Sequence, residues 1–516
     1  MFKTKMKKEI GRKIPATMAT QHPDNASKPY WNNSEFISSI QEEEECFRSF
    51  NELGCDEYMW DWEGKFCDEA VIDRLFTTYF KYFKNKQLGK DKFLTFRIPN
   101  IWVETGYRLV RAYMDIITAN DSAVNLKLHS PPLFEVILPQ VENSEQILKT
   151  QIEYHKVSKT KCNLSKKCGP SEIMLIPIFE EYDRLINSRK ILEDYFEKYS
   201  NKFKNELPYI RPFIARSDPA LNSGLVPATI AAKIAISEYG KLEDETGIPV
   251  FPIIGVGALP FRGGLNPKNI GNFIKQYSGV NTVTVQSAFR YDYPKNRAIS
   301  AIKELNQKIP KTKKEQLDDN LTKELIQVCN IFAKKYQEIL PKVLPDILSI
   351  SKYIPSHRER ILHTGLFRYG RKIKGTKKTL PRAINFTASF YSIGVPPELF
   401  ATGQGLKEIE KKGFLDELQE GYPPLRNDLI DAGHYLNKEN LKFLAKNKKG
   451  WTKVVEDIEF LELFTGKEFG PKTVEHYEHR NFVSNIYQLW KRKNHNHEQD
   501  IKREILEAAR IRRSLG

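Results

Sequence analysis

The chain has 516 residues, so it can bury a large core and fold either as two to four domains or as one elaborated barrel. No window approaches the apolar length of a membrane span and the amino terminus has no secretory h-region, which argues against a membrane or exported class and predicts a soluble cytoplasmic protein. The net charge of +16 leaves nucleic-acid binding open, although interleaved acidic runs such as residues 42–45 indicate that most lysines are solvated surface.

The cysteines give no signal for a zinc site or a disulfide framework, because none of them forms a C-x-x-C pair. We therefore predict that all six are reduced thiols. They are Cys46, Cys55, Cys67, Cys162, Cys168 and Cys329.

The first 35 residues show little apolar pattern but contain the sequence ATQHPDNA at positions 19–26. A histidine followed by Pro-Asp-Asn is turn chemistry, so we expect His22 on an irregular segment. Since a lone loop histidine is more often incidental than catalytic, the residues alone do not assign it a role.

The following several hundred residues alternate short apolar runs with amphipathic stretches, which is typical of repeated βα units. Candidate strands cover residues 56–62, 93–98, 133–138, 173–179, 209–215, 249–255 and 282–286. Polar residues fall at nearly every carboxyl end: Asp61, Glu63, Arg97, Glu180, Glu181, Ser217, Asp218, Arg262, Gln286 and Arg290. The active site of an α/β barrel is built at those ends, so the pattern favours a functional barrel mouth over scattered surface charge.

The stretch at 248–267 begins as a buried strand and then breaks into glycines around Arg262. Glycine N–H groups can form an anion nest, and an arginine adds a planar fork suited to phosphate or carboxylate. It is not a dinucleotide fingerprint, because Pro260 stands where the third glycine would fall. The alternative is a barrel-corner turn with a solvent-facing arginine.

Two acidic residues could hold a divalent ion. Glu180 and Asp218 each follow a candidate strand, and two carboxylates with waters and substrate oxygens are a usual magnesium site. On spacing alone they are equally well explained as helix N-caps.

The carboxyl-terminal half is mostly helical. Residues 296–348 place Leu321, Leu325, Val328, Phe332, Tyr336 and Ile339 on one helix face. Arg382 heads an apolar segment, either as a helix-start surface residue or as a ligand clamp. Because no clean linker interrupts the chain, we predict a single domain over 1–516, with a barrel core over about 50–400 and a helical part over about 401–516.

Four long motifs together resemble the short archaeal-type branch of the phosphoenolpyruvate carboxylase family. They are ATQHPDNA, CDEYMWDWEGK at 55–65, TVTVQSAFRYDYP at 282–294 and LPRAINFTASFYSIGVPPE at 380–398. The resemblance implies a TIM-type (β/α)8 barrel elaborated with many additional α-helices, assembled as a homotetramer.

The resemblance also implies roles for individual residues. His22, Arg262 and Arg382 are expected to be catalytic, with His22 as a base of near-neutral pKa, and Glu180 and Asp218 to bind the metal. The expected substrate-binding residues are Arg97, Arg371, Gln286, Arg290, Gly263 and Gly264. In the longer enzymes a histidine and an arginine occupy the places of Ile254 and Val256, which leaves the number of catalytic histidines open.

The implied reaction is irreversible carboxylation of phosphoenolpyruvate by bicarbonate, giving oxaloacetate and phosphate through carboxyphosphate and a metal-stabilised enolate, with Mg²⁺ or Mn²⁺. Such a reaction would supply C4 acids anaplerotically. Another barrel enzyme acting on phosphoenolpyruvate or pyruvate is the alternative among enzymes, and a basic nucleic-acid-binding protein is the alternative outside them, although no binding module is recognisable.

Overall fold

The computed structural model describes residues 11–516 except residues 64, 66, 105–106, 165–169, 171, 359–370, 373–378, 447 and 493–496. Eight parallel strands close into one barrel in sequence order. They are β1 (Thr17–Thr20), β2 (Glu57–Asp61), β3 (Phe93–Arg97), β4 (Glu135–Leu138), β5 (Met174–Phe179), β6 (Phe213–Ala215), β7 (Ile253–Gly255) and β8 (Thr282–Val285). The prediction of an elaborated TIM-type α/β barrel is confirmed.

The barrel starts earlier than the sequence indicated. β1 pairs with both β2 and β8, so it closes the barrel, and the core begins at residue 17 rather than near residue 50. Its sequence, TMAT, is four residues long and half threonine, so it offers no continuous apolar run. The assignment of residues 1–516 to one domain stays a prediction.

The helices are α1 (Glu42–Asn51), α2 (Val71–Thr78), α3 (Phe80–Asn85), α4 (Arg108–Asn125), α5 (Ser144–Leu164), α6 (Tyr182–Ile186), α7 (Ser188–Phe203), α8 (Ser217–Ser223), α9 (Leu225–Thr246), α10 (Ile270–Gln276), α11 (Ser287–Tyr291), α12 (Lys295–Lys308), α13 (Asp319–Ser351), α14 (Ala383–Ser392), α15 (Thr402–Lys412), α16 (Leu415–Gly421), α17 (Leu425–Gly433), α18 (Lys438–Ala445), α19 (Lys449–Thr465), α20 (Val474–Lys491) and α21 (Glu498–Arg512). Short 3-10 turns cover Ser39–Gln41, Pro260–Arg262 and Ile309–Lys311, and β9 (Arg371–Lys372) pairs antiparallel with β10 (Thr379–Leu380).

Side chains along each strand alternate between the barrel interior and the surrounding helices. In β6, Phe213 and Ala215 belong to the interior apolar cluster, whereas Ile214 packs into the outer core. The amino-terminal end of the interior is polar instead. There Arg211 is buried and donates to Glu57 (2.7 Å), Glu135 (2.6 Å) and Thr282 (3.0 Å). That end is therefore filled by side chains, and space for a ligand remains at the carboxyl ends of the strands.

A second core lies between α9 and the carboxyl-terminal helices. α9 contributes to both cores, because Ala231 packs in the barrel core while Ile230 and Ile234 pack in this second core. The prediction that residues 296–348 are largely helical is confirmed. They contain two helices, since α12 ends before Pro310 and α13 begins after an N-cap at Asp318. The residues predicted to lie on one helix face belong to α13. All are buried except Leu321, which is partly buried; the buried ones are Leu325, Val328, Phe332, Tyr336 and Ile339.

Cys46, Cys55, Cys67 and Cys329 are buried free thiols, but Cys162 is disulfide-bonded. The expectation of six reduced thiols is therefore wrong for that residue. None of the helices in the described ranges is both long and apolar enough to cross a bilayer.

Candidate active site

A cavity of about 140 Å³ opens at the carboxyl ends of the barrel strands. It brings together seven of the residues expected from sequence, which come from six strand ends and the start of α14. They are His22, Arg97, Glu180, Asp218, Arg262, Gln286 and Arg382. Parallel strands deliver these side chains to one mouth although up to 360 residues separate them along the chain (382 minus 22).

His22 lies on the irregular segment directly after β1, as predicted. Its Nδ1 lies 2.9 Å from Thr20 Oγ1, and its carbonyl accepts the Asp24 N–H at 3.1 Å. Burial, reinforced by the charges of Arg97 and Arg262, lowers the pKa of His22 to about 3. The imidazole is therefore neutral at pH 7, and the expected near-neutral pKa is not found in this arrangement.

Arg97, at the end of β3, is held in place by two acids on the β2 side. Its Nε donates to Asp61 Oδ1 at 2.9 Å and its Nη2 to Asp61 Oδ2 at 2.6 Å, and Nη2 also lies 2.7 Å from Glu63 Oε2. Burial acts to raise the pKa of Asp61, but the Arg97 charge outweighs it and lowers that pKa to about 2. Asp61 and Glu63 were visible as strand-end acids, but nothing in the sequence pairs them with Arg97.

Arg262 ends a 3-10 turn that follows β7, and its guanidinium is almost completely committed to the protein. Nε donates to Ser217 Oγ (3.1 Å), and Nη2 donates to Gln286 Oε1 (2.7 Å). Nη1 donates both to Asp24 Oδ2 (3.1 Å) and to the Gly516 carbonyl (2.5 Å). Arginine has five N–H donors, so one remains for a ligand. The solvent-facing alternative is wrong, since the side chain is 1% exposed. A two-bond fork to an anion stays a prediction, and it would require one of these four hydrogen bonds to break.

Two of the acceptors around Arg262, Asp24 and Gly516, carry no functional signal in the sequence. Asp24 is fully buried and also accepts the Ala288 N–H at 2.8 Å, while the Leu515 N–H donates to its carbonyl at 2.7 Å. Gly516 packs so closely on α14 that an added Cβ would lie 2.2 Å from the Ile384 carbonyl oxygen. Contacts spanning 238 and 254 residues leave no local trace in a sequence.

Glu398 supports the same turn from the other side. Its Oε1 accepts the Phe261 N–H at 3.0 Å, and its Oε2 accepts the Tyr391 hydroxyl at 3.0 Å. The Phe261 ring stacks on Phe386 of α14, with centroids 5.9 Å apart. The turn that carries Arg262 is thus braced by buried contacts rather than left as a loop.

The two candidate metal ligands face the same cavity, and neither is an N-cap. The N-cap of α6 is Glu181, and that of α8 is Arg216, which places Asp218 inside the first turn. Glu180 interacts electrostatically with Arg97, and Asp218 with Arg262. Hard oxygen donors of this kind suit Mg²⁺ or Mn²⁺. Among the described residues there is no group of three or more His, Cys, Asp or Glu side chains that could bind a metal.

Three of the expected substrate-binding residues do not line the cavity in the described part of the chain. The Arg290 guanidinium turns away from it and donates to Ser49 Oγ (3.0 Å), the Thr20 carbonyl (2.6 Å) and Glu45 (3.1 Å). Gly263 and Gly264 have positive φ values of 114° and 75°, and they line a separate space of about 20 Å³ behind the turn. The backbone of Arg371 lies in β9, but its side chain is outside the described part of the chain.

Arg382 occupies the N-cap position of α14 and is exposed, and it also lines the cavity. Both readings of this residue, helix-start surface position and possible clamp, are therefore compatible with its place at the rim.

Comparison with solved structures finds distant likenesses. A malate synthase from Haloferax volcanii, in its pyruvate/acetyl-CoA ternary complex, aligns with 82% of this chain and 99% of its own, at 10% identity and a TM-score of 0.41. A likeness this weak supports no argument about the site.

Sequence comparison finds much nearer relatives. A phosphoenolpyruvate carboxylase from Leuconostoc mesenteroides is 41% identical over 485 residues, covering 93% of this chain and 95% of the relative. One from Metallosphaera sedula is 37% identical over 531 residues, covering 98% and 100%, and one from Pyrococcus abyssi is 38% identical over 476 residues, covering 90% and 94%. Residues 14–516 match the family described as phosphoenolpyruvate carboxylase, in its archaeal-type branch. The chain belongs to the phosphoenolpyruvate carboxylase family.

Proposed function

We propose that this protein carboxylates phosphoenolpyruvate with bicarbonate, irreversibly, to give oxaloacetate and phosphate. The observation that carries the proposal is the convergence of His22, two buried arginines and two metal-type carboxylates on one cavity in a chain of this family. Consumption of phosphoenolpyruvate to make a C4 acid would serve an anaplerotic role.

The charges at the mouth suit an anionic substrate. Arg97 and Arg262 are buried and fixed by their acidic partners, while Arg382 stands at the rim. Fixed cations at a buried site stabilise developing negative charge without having to reorganise during the reaction. The spare N–H of Arg262 points to one contact with a phosphate or carboxylate oxygen.

Glu180 and Asp218 would hold the divalent metal that the family resemblance implies. When bound there, the ion would supply Lewis-acid stabilisation of an oxygen that gains negative charge. Their position on neighbouring strand ends β5 and β6 fits this role.

His22 is assigned the proton transfer. In the first step the phosphoryl group moves from phosphoenolpyruvate to a bicarbonate oxygen, which leaves carboxyphosphate and the enolate of pyruvate. His22 then takes the hydroxyl proton of carboxyphosphate, the C–O bond to phosphate breaks, and CO₂ forms. The enolate carbon attacks CO₂ to give oxaloacetate, and the proton passes from His22 to the departing phosphate.

The pKa of about 3 makes His22 a weak base while Arg97 and Arg262 dominate its surroundings. Burial is the largest cause of this lowering, and the two arginines add to it. An anion bound beside those arginines would offset their charge and raise the pKa, so substrate binding would make His22 more basic. If Nδ1–H donates to Thr20 Oγ1, the acceptor lone pair is on Nε2.

A coupled assay for oxaloacetate tests the proposal, with bicarbonate and Mg²⁺ omitted in turn. We expect product only when both are present, together with phosphate release that requires bicarbonate. Phosphate release without bicarbonate would instead indicate another barrel enzyme acting on phosphoenolpyruvate. Assembly as a homotetramer is also proposed from the family, and light scattering after size-exclusion chromatography tests it.

A further inference from the structure

Gln140 lines the cavity on the arc between Arg97 and Glu180. It lies two residues beyond β4, which pairs with the strand of Arg97 on one side and with the strand of Glu180 on the other. The register places Ile137 opposite Arg97 and Leu138 opposite Pro177, so Gln140 lies at the carboxyl-terminal edge of the barrel.

The backbone of Gln140 is in the left-handed region, with φ of 53°. The described residues include four other non-glycine residues with positive φ, and none of them lines the cavity: Lys127, Lys204, Ala401 and Arg513. Backbone strain of this kind persists where the surroundings impose it, and it concentrates at functional sites.

The surroundings of Gln140 do impose this conformation. Asn100 is fully buried, and its Nδ2 donates to the Pro139 carbonyl at 2.8 Å and, more weakly, to the Gln140 carbonyl at 3.5 Å. On the other side, the Val141 N–H donates to the Ile178 carbonyl of β5 at 3.1 Å. Both flanks of the strained residue are therefore tied to neighbouring strand ends.

The side-chain amide of Gln140 makes no hydrogen bond with any residue of the described structure, although Gln140 is only partly exposed. Gln286, the other glutamine of the cavity, already gives its oxygen to Arg262 at 2.7 Å. Gln140 thus presents an uncharged pair, one N–H donor and one C=O acceptor, among charged groups.

Bicarbonate is the reactant that matches such a pair. On its planar HO–C–O edge the hydroxyl donates one hydrogen bond and the neighbouring oxygen accepts one. The C=O acceptor and N–H donor of a side-chain amide complement these two groups. By contrast, fully ionised phosphoenolpyruvate carries only acceptor oxygens, and so does CO₂. We propose that Gln140 binds bicarbonate through its side-chain amide, an inference that rests on the proposed carboxylation.

The test compares Michaelis constants for the two substrates in Gln140→Gly and Gln140→Asn. Glycine removes the amide and also relieves the positive φ, so this variant should fold with an unchanged or higher melting temperature. We expect the KM for bicarbonate to rise about tenfold or more in Gln140→Gly, the loss of two hydrogen bonds, while the KM for phosphoenolpyruvate changes less than about threefold. Asparagine tolerates the left-handed region but is one methylene shorter, and it should also raise the KM for bicarbonate.

Lys127→Gly is the matched control, because Lys127 has φ of 55° on the surface after α4, outside the cavity. It should gain stability with both Michaelis constants unchanged. The proposal is overturned if the wild-type protein carboxylates phosphoenolpyruvate but the KM for bicarbonate is unchanged in both Gln140 variants. It is also overturned if the KM values for bicarbonate and phosphoenolpyruvate rise equally. If the wild-type protein makes no oxaloacetate, the proposed function itself fails, and this inference falls with it.

Discussion

Replacing Arg262 by lysine tests whether the buried guanidinium acts in the reaction or only in the fold. Lysine keeps the positive charge but has three N–H donors on one nitrogen. The guanidinium serves four acceptors from separate segments: Asp24, Ser217, Gln286 and Gly516. At least one of them must lose its partner in Arg262→Lys.

The size of the effect follows from the burial of these groups. Arg262 and Asp24 are 1% and 0% exposed, so water cannot replace a missing bond. Losing one hydrogen bond to a charged group costs about 1.5–3 kcal/mol. We therefore expect the free energy of unfolding to fall by that amount. If the transition state loses the same amount of stabilisation, the rate of carboxylation should fall about ten- to more than hundredfold, since each 1.36 kcal/mol changes a rate tenfold.

The assay combines urea unfolding with kcat measured on folded protein, and Arg211→Lys is the matched control. Arg211 is 1% exposed and also donates four hydrogen bonds, but at the opposite end of the barrel. We expect both variants to lose stability and only Arg262→Lys to lose turnover. Near-normal turnover in folded Arg262→Lys, or an equal loss of turnover in Arg211→Lys, would refute a catalytic part for Arg262.

Three further outcomes are expected. Asp218→Asn should need about tenfold or more Mg²⁺ for half-maximal activity while its circular dichroism is unchanged, and unaltered activation would remove Asp218 from the metal site. His22→Asn should lose oxaloacetate formation by about 10² to 10⁴ while bicarbonate-dependent phosphate release falls much less; proportional loss of both products would place His22 at or before phosphoryl transfer. The folded-state pKa of His22, about 3, lies below the unfolded value of 6.5, so between those pH values the unfolded chain binds more protons and stability falls with falling pH. Wild-type protein should therefore lose more stability than His22→Asn between pH 7 and pH 4.5 in urea titrations, and equal losses would contradict the lowered pKa.

Much of the barrel could be predicted because its signals are local. Seven strands were predicted from short, mostly apolar runs, and polar residues follow nearly every one, so the alternation alone placed Arg97, Glu180 and Asp218 at one mouth. β1 was not predicted because its four residues, TMAT, contain no β-branched apolar residue, whereas β8, which is also four residues long with two threonines, carries two valines. Motif resemblance supplied the catalytic roles expected for His22 and Arg382, which periodicity alone does not assign.

Side-chain direction and distant partners were decided only by the tertiary structure. Arg262 and Arg290 look alike in sequence because each follows a barrel strand. In the fold, Arg262 lines the cavity, whereas Arg290 packs against Glu45. The number of donors left on Arg262 depends on Asp24 and Gly516, which the fold brings from 238 and 254 residues away. The sequence determined which chemical groups come together at the barrel mouth, because a residue that follows a strand along the chain lies at the end of that strand in the fold. The structure decided which of those groups remain available to a ligand, because burial and pairing depend on segments that meet only when the chain folds.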